Sequence, residues 1–294
     1  MLPIAAVVIS YRRPQMVLAC LGKLLALPDG PQQIYLVDNS PEDGTTAEVT
    51  RQFPMVHVIN AGVNLGFATG NNLGMQAALA AGIPYILLLN DDAELKPGAL
   101  ARLYAAISAD ETMGAIGPVV YYSDGKNIWS AGGRINPRSA LVGHLSHPPA
   151  KPAIYAVDYV TACAVLYRSS ALNRVGLFDE RFFMYYEDSD LGVRLASAGY
   201  RNVIERTAIA LHHVPCNLAE RMKSKSFLYY LNRNRILFTR KHNPLHTQTD
   251  ALLFRSLLEL AIVLGKGYGA GFAAGLGGLW DGLRGKGGSM KGAS

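Results

Sequence analysis

Residues 85–92 read YILLLNDD. An unbroken apolar run of this length that ends in polar residues reads as a strand buried on both faces, the kind that parallel sheets contain. Its polar end, Asn90-Asp91-Asp92, falls where open parallel sheets bind ligands, just outside the carboxyl ends of the strands. The same alternation extends outward on both sides. Upstream are IAAVVIS (4–10), a helical pattern at Val17, Leu18, Leu21, Leu24 and Leu25 after Pro14, QIYLVDN (33–39), VHVIN (56–60), and a small-residue helix from about Asn71 to Ala81 that Gly82 stops. Downstream, Pro97 opens another helix ahead of GAIGPVVYY (114–122). Repeated strand–helix units predict an α/β fold with a mostly parallel sheet and helices on both faces.

The chain has 294 residues, 50% hydrophobic and 17% charged, enough for one large domain or two small ones and too apolar for disorder. Its three cysteines, Cys20, Cys163 and Cys216, form no CxxC pair, which excludes a disulfide scaffold or a zinc knuckle and suits a reducing compartment. Arg12 and Arg13 follow the first apolar run instead of preceding it, the wrong polarity for a secretory signal, so a cytoplasmic location is expected. Charge is divided unevenly. Residues 1–213 carry 16 Lys+Arg against 18 Asp+Glu, and residues 214–294 carry 12 against 4. A basic end of this kind suits an anionic surface, lipid or nucleic acid, or is simply a solvated face.

From 123 to 213 the chain is rich in Gly and Pro loops around two strand-like runs, 157–167 and 202–213, with one helix between them. Helical patterns follow. In LLFRSLLELAIVLG (252–265), Arg255, Ser256 and Glu259 share one narrow face of an otherwise apolar helix, which is too short and too charged to span a bilayer. Residues 265–292 contain 12 Gly in 28 and are expected to be loosely ordered, or ordered only on a surface.

The residues just past each strand form a consistent polar set: Ser10-Tyr11-Arg12-Arg13, Asp38-Asn39-Ser40, Asn60 with Asn64-Leu65-Gly66, and Asn90-Asp91-Asp92. Any one alone is an ordinary turn or cap residue. Four converging on one rim point to a ligand. Strand alternation predicts Asn90 and Asp92 on one side, an oxygen pair suited to Mg²⁺ or Mn²⁺ on a diphosphate, with Asp91 turned away as a cap. NLGFATGNN (64–72) places Gly66, Gly70 and amide side chains before a helix, where backbone N–H groups favour an anion; it is neither GxGxxG nor a P-loop. The densest acidic cluster, Glu187, Asp188 and Asp190, follows the aromatic run Phe182 to Tyr186 and opens a helix. Capping accounts for Asp190. The aromatic surround is expected to raise a carboxylate pKa toward the range of a general base. His212-His213 ends a strand run, and an imidazole beside a cation on Asp92 would complete a metal site.

Taken together, VVISYRRP, LVDNS, NLGFATGNN, LLLNDDAEL, VGLFDERFFMYYEDSDLGVRLASAGY, LHHV and YYLNRNR make residues 4–243 resemble the family 2 glycosyltransferases, in particular their rhamnosyltransferase-like bacterial branch. The resemblance implies a GT-A fold, Rossmann-like, and transfer of a sugar from a nucleotide diphosphate to an acceptor hydroxyl with inversion. It puts the metal on Asn90, Asp92 and His213, base recognition on Asp38, and the catalytic base on Asp188 with Glu187 supporting. Tyr11, Gly66 and Asn71 match donor-pocket positions, and Ser10, Arg13, Asn64, Asp91 and Arg233 complete the expected donor-binding set. Asn90 departs from the usual first acid of the motif, leaving Asp92 as the main carboxylate, and Ala162 stands where many relatives have Gly.

The expected organisation is a catalytic domain over 1–243, with a nucleotide-sugar half to 122 and an acceptor half to 213, followed by a basic, amphipathic C-terminal region over 244–294. The expected donor is dTDP-rhamnose or a UDP-sugar, and the acceptor a lipid-linked saccharide. Nucleic acid is not an expected partner. Arg233, Arg235, Arg240 and Lys241 ahead of an apolar helix suit a peripheral membrane surface at the inner face of the cell membrane, or else that helix packs on the catalytic domain or across a homodimer. Two rivals remain at this level. A nucleotidyltransferase would want a basic, Gly-rich loop after the first strand, where this chain has Tyr11-Arg12-Arg13-Pro14. A non-catalytic carbohydrate- or nucleic-acid-binding module would have no need of Asp188.

Overall fold

The computed structural model describes residues 1–136, 141–214, 223–242 and 249–290. Cys216 and the expected boundary at 243 lie outside them. Four parallel strands form the first half of the sheet: β1 (Leu2–Ser10), β2 (Pro31–Asp38), β3 (His57–Asn60) and β4 (Tyr85–Asn90). β1 lies between β2 and β4, so the strand order reverses there and opens a crevice at its carboxyl end. Register brings the polar ends level: Ser10 pairs with Asp38, Asp38 with Asn60, and Ile9 with Asn90.

The second half is mixed. β6 (Met113–Tyr122) and β12 (Arg201–His212) are parallel to each other, while β11 (Ala164–Arg168) runs antiparallel between β4 and β6. β10 (Ile154–Val157) pairs with β12, as does the short β5 (Ala93–Leu95), and β7 (Ile128–Ser130) pairs with β6. Among the described residues these ten strands form one sheet, and β8 (Gly133–Ile135) with β9 (Val142–His144) forms a separate hairpin. The run 157–167, which reads as one strand, is two. β10 lies at the sheet edge and β11 at its centre, so the chain must leave the sheet at 158–163 and cross over, and that crossing matters for the site.

Both faces of β1 and β4 are buried, as their continuous apolar runs require. Alternate residues Ile4, Ala6, Val8, Leu87 and Leu89 pack under α1 (Pro14–Leu25) and α4 (Ala99–Ala109). Val7, Ile86 and Leu88 pack under α3 (Gly66–Ala80), α5 (Ser169–Val175) and α6 (Glu187–Ser197), while α2 (Thr45–Gln52) adds Val49 to the first face. A Cβ at Gly74 would meet Val7 Cγ1 at 2.3 Å, so the small residues of α3 are what seat it on the sheet.

The C-terminal region is more ordered than its glycine content predicts. α7 (Lys225–His242) packs on the loop that leads into α6, and α8 (Thr249–Gly265) and α9 (Gly269–Leu283) form an αα-hairpin behind it. The glycines of α9 form its contact face. A Cβ at Gly278 would lie 2.2 Å from the Tyr229 carbonyl oxygen, and one at Gly282 would lie 2.8 Å from that of Arg233. Backbone-to-backbone approach thus compensates the helix propensity that glycine forfeits. Among the described residues no helix is long and apolar enough to cross a membrane.

Candidate active site

Two acidic centres lie at the carboxyl edge of the sheet. The first is the turn after β4. The strand ends at Asn90, so its alternation does not continue through Asp91 and Asp92. Asn90 takes the face of Ile86 and Leu88, whereas Asp92 meets Arg13 at the start of α1: Arg13 Nη1 is 2.8 Å from Asp92 Oδ2 and 3.6 Å from Asp91 Oδ1. Asp91 is not turned away, as its reading as a cap predicts. It lines a cavity of about 570 Å³ together with Arg13, Met16, Ala19 and His213.

The histidine beside Asp92 is His212. Its Nε2 lies 3.0 Å from Asp92 Oδ1, and Trp129 packs edge-on against its ring at 4.4 Å. His213, which the resemblance puts on the metal, points instead at Glu94, 3.6 Å away, and only its backbone N–H reaches the Asp92 carbonyl. β5 pairs with β12 so that Ala93 is opposite His212, which brings the 212 side chain to the acidic turn. The two neighbouring carboxylates are driven apart in acidity. Burial and the Asp92 charge, only partly offset by Arg13, push Asp91 up to about 7. Burial also works against ionised Asp92, but His212 and Arg13 outweigh it and hold that group down at about 2.

A divalent cation fits the first centre on its chemistry. Asp92 Oδ1 is buried without an aligned hydrogen bond, and the groups nearby are the Asp91 carboxylate and the His212 imidazole. Among the described residues no three His, Cys, Asp or Glu side chains close into a cage, so most of the coordination would come from substrate oxygens and water, the usual arrangement for Mg²⁺ on phosphates.

The second centre opens α6. Glu187 is buried and its Oε2 has no partner, whereas Asp188 is partly open. Asp188 accepts from Ser189 N at 2.7 Å, Ser189 Oγ at 3.2 Å and Ala162 N at 3.3 Å. Burial, with the charge of Asp188 added, pushes Glu187 well above the ordinary carboxylate range. Burial also raises Asp188, against the pull of those three hydrogen bonds. Both acids are thus raised, with hydrogen bonds opposing the rise at Asp188 and the charge of Asp188 adding to it at Glu187. Asp190 belongs to the scaffold: it pairs with Arg194 (2.8 Å), Lys241 (2.7 Å) and His242 (2.8 Å), tying α6 to α7.

The crossing segment 158–163 joins the two centres. Ala162 N–H donates to Asp188, and the next residue, Cys163, accepts from Asn90 N–H through its carbonyl at 2.9 Å. Adjacent α-carbons are 3.8 Å apart, so the acidic turn and the acidic pair share one short piece of backbone. Nothing in the periodicity of 157–167 marks this turn.

The remaining expected residues divide. Ser10 and Asp38 lie buried beneath the rim. Both Asp38 oxygens are occupied, Oδ1 by Ser40 N (2.9 Å) and Oδ2 by Thr46 Oγ1 (2.6 Å), so this carboxylate organises the 38–46 loop. Tyr11 stays partly exposed at the crevice, 5.2 Å below the Arg12 guanidinium. The expected anion site at the start of α3 is filled from within. Phe67 N and Ala68 N both donate to the Phe183 carbonyl, Asn64 Oδ1 accepts from Gly66 N, and Asn71 bonds back to the Phe67 carbonyl. Gly66, at φ +80°, could not carry a side chain there, because a Cβ would strike the Phe183 ring at 2.5 Å.

Arg233 does not reach the donor side either. It is fully buried between Tyr229 and Tyr230 and donates to the carbonyls of Gly288, Arg181 and Phe182. Beside it Asn234 Nδ2 donates to Phe182 O, Met184 O and Tyr185 O, each within 2.9 Å. These two residues hold a strained loop. Phe183, Tyr185 and Tyr186 all have positive φ, a conformation that costs about 1–3 kcal/mol each outside glycine and persists where neighbours fix it. The loop ends at Glu187.

A sheet that reverses at β1, an acidic turn at the end of β4 and a second acidic pair at a helix start make this a GT-A type glycosyltransferase architecture. The chain belongs to glycosyl transferase family 2, whose model it matches over residues 5–180. It is 32% identical over 216 residues to an N-acetylglucosaminyl-diphospho-decaprenol L-rhamnosyltransferase of Mycobacterium tuberculosis, covering 66% of this chain and 70% of that one. Its fold is similar to those of two solved enzymes. One is GalNAc-T7 with UDP, GalNAc and Mn²⁺ (TM-score 0.63, 14% identity, 81% of this chain and 47% of that one). The other is the mannosyltransferase PcManGT from Pyrobaculum calidifontis in complex with GDP-Man and Mn²⁺ (TM-score 0.58, 17% identity, 96% and 87%).

Proposed function

We propose that the chain is a metal-dependent inverting glycosyltransferase that moves a sugar, L-rhamnose from dTDP-rhamnose before any UDP-sugar, to a hydroxyl of a lipid-linked saccharide in cell-surface polysaccharide synthesis. The observation that carries the reading is the Ala162-Cys163 turn, which sets a charged carboxylate beside an acidic turn without merging the two. Inverting transfer has those two needs: a base at the acceptor hydroxyl and charge stabilisation at the leaving diphosphate on the opposite face. Asp188 is the base. Its raised pKa favours taking a proton from the acceptor, and Ser189 and Ala162 fix its two oxygens. Burial of the neighbouring Glu187 favours its neutral form, which limits competing negative charge.

Asp92, with His212 adjacent, would hold Mg²⁺ or Mn²⁺, which when bound neutralises charge on the diphosphate. Arg13 bridges Asp91 and Asp92 and is half exposed, so its guanidinium can turn to phosphate oxygens. The rhamnosyl and lipid-linked parts of the reading rest on the mycobacterial relative's name.

The test is to mix purified protein with a panel of nucleotide-sugars, in Mg²⁺, Mn²⁺ or EDTA, and measure donor binding and nucleoside diphosphate release with and without a lipid-linked N-acetylglucosamine acceptor. Metal-dependent turnover of one donor is expected, with EDTA abolishing it. Silence toward every donor in the presence of metal would leave a non-catalytic module.

A further inference from the structure

The helix α8 is apolar on two sides. Its inner side carries Leu260 (1% exposed), Val263 (2%) and Ser256 (1%), with Ser256 bonded to Arg235, and Glu259 at the border is held by Arg235 at 3.0 Å and Arg255 at 2.9 Å. Its outer side is apolar as well, with Phe254 73% exposed, Leu258 55% and Ile262 50%, one helical turn apart on a single row. The other arm of the hairpin adds Trp280 at 61%. A helix of a water-exposed domain normally presents polar residues on its outer side.

The cations expected to meet a membrane do not line this face. Arg233 and Arg235 are buried, Arg240 donates to the Leu283 carbonyl at 2.7 Å, and Lys241 is bound to Asp179 and Asp190. All four are engaged in contacts within the protein. Arg255, Lys266 and Arg284 are the exposed cations of the hairpin itself, and Arg284 stacks on Trp280 at 5.8 Å. Two carboxylates of the hairpin, Glu259 and Asp281, are already paired, the latter with Lys286 and Tyr229.

We infer that the α8–α9 hairpin is a docking surface for an anionic lipid bilayer, with Phe254, Leu258, Ile262 and Trp280 entering the headgroup–acyl boundary and Arg255, Lys266 and Arg284 meeting lipid phosphates. Charge selects this occupant over a second copy of the chain. Two like hairpins would bring their exposed cations together, whereas the same cations, Arg255, Lys266 and Arg284, complement an anionic surface. Insertion is shallow, as the helix lies in the plane of the interface. The inference rests on the lipid-linked acceptor reading and adds where on the chain the membrane sits.

The experiment is vesicle flotation of the full chain, without donor or acceptor, on phosphatidylcholine vesicles with and without phosphatidylglycerol. Binding to the anionic vesicles is expected, with tryptophan emission quenched by bromine-labelled acyl chains and that quenching lost in Trp280→Phe. The triple variant Phe254→Ser, Leu258→Ser, Ile262→Ser should bind at least about tenfold more weakly while keeping donor affinity. Failure of the wild-type chain to float, or quenching that persists in Trp280→Phe, overturns the inference. So does a concentration-dependent dimer without lipid that the triple variant dissolves. A chain that floats yet transfers no sugar leaves this surface standing and removes the proposed function; one that transfers sugar to lipid-linked acceptor and never floats does the reverse.

Discussion

Glu187 and Asp188 are neighbours in sequence with opposite duties, and pH separates them. Glu187 has its folded pKa raised by burial, so its contribution to stability is complete below the ordinary glutamate pKa and is lost as pH rises through the raised value. Glu187→Gln removes that loss. Thermal melts should therefore show the variant gaining on the parent as pH rises from acid to mildly alkaline, and an unchanged gap at every pH would mean that Glu187 is charged when folded. Asp188 gives the kinetic counterpart. Its raised pKa places the acid limb of the kcat profile above the ordinary aspartate range, activity falling as pH drops through it.

At this scale the sequence shows local surroundings but not what each side chain touches. The aromatic surround of 187–188 is plain in FFMYYED. The choice between His212 and His213, the Arg13 bridge and the saturated Asp38 carboxylate depend on strand register and on a turn after Asn90, neither of which residue spacing encodes.

Among the elements, the loop 182–186 shows how a distant segment positions the proposed base. Asn234 on α7 bonds three of its carbonyls, and Asn72 on α3 fixes its approach through both Phe178 N and Phe178 O at 3.0 Å. Asn234→Ala should release the strained loop, lowering stability by about 2–4 kcal/mol in a denaturant melt and kcat by about ten- to a hundredfold, with KM for the donor little changed. A parallel loss in donor affinity would instead assign Asn234 to the nucleotide site.

The glycine-rich helix α9 makes a second test of packing. Gly278→Ala puts a Cβ against the Tyr229 carbonyl and should cost about 1–3 kcal/mol. If the melt is unmoved, the close approach of α9 to α7 is not what orders this end. Composition alone suggests disorder here because it counts the propensity that glycine forfeits and cannot see the neighbouring backbone that needs glycine's absent side chain. β1, α1, β2, β3, β4, α4 and β6, in contrast, follow from apolar periodicity, whereas α2 and the short β5 do not, and α3 begins at Gly66, ahead of the Asn71 that the pattern gives.

For the whole molecule, the arrangement is a parallel half-sheet that ends in a polar rim, a mixed half-sheet whose crossing turn carries Ala162 and Cys163, and a helical layer that clamps the second acidic pair. The order of motifs along the chain allowed the GT-A fold to be expected from sequence. The joint between the two centres was not visible there, because it comes from a break inside what reads as one strand. The most direct measurement of its consequence is Asp188→Asn, followed by donor affinity from calorimetry and transfer rate to acceptor, both in saturating metal. Asp188 as the base requires transfer to fall by about 10²–10⁴-fold, with donor affinity held within a few fold. Transfer that persists near the parent rate, or donor binding lost together with it, would contradict the assignment of proton removal to this carboxylate.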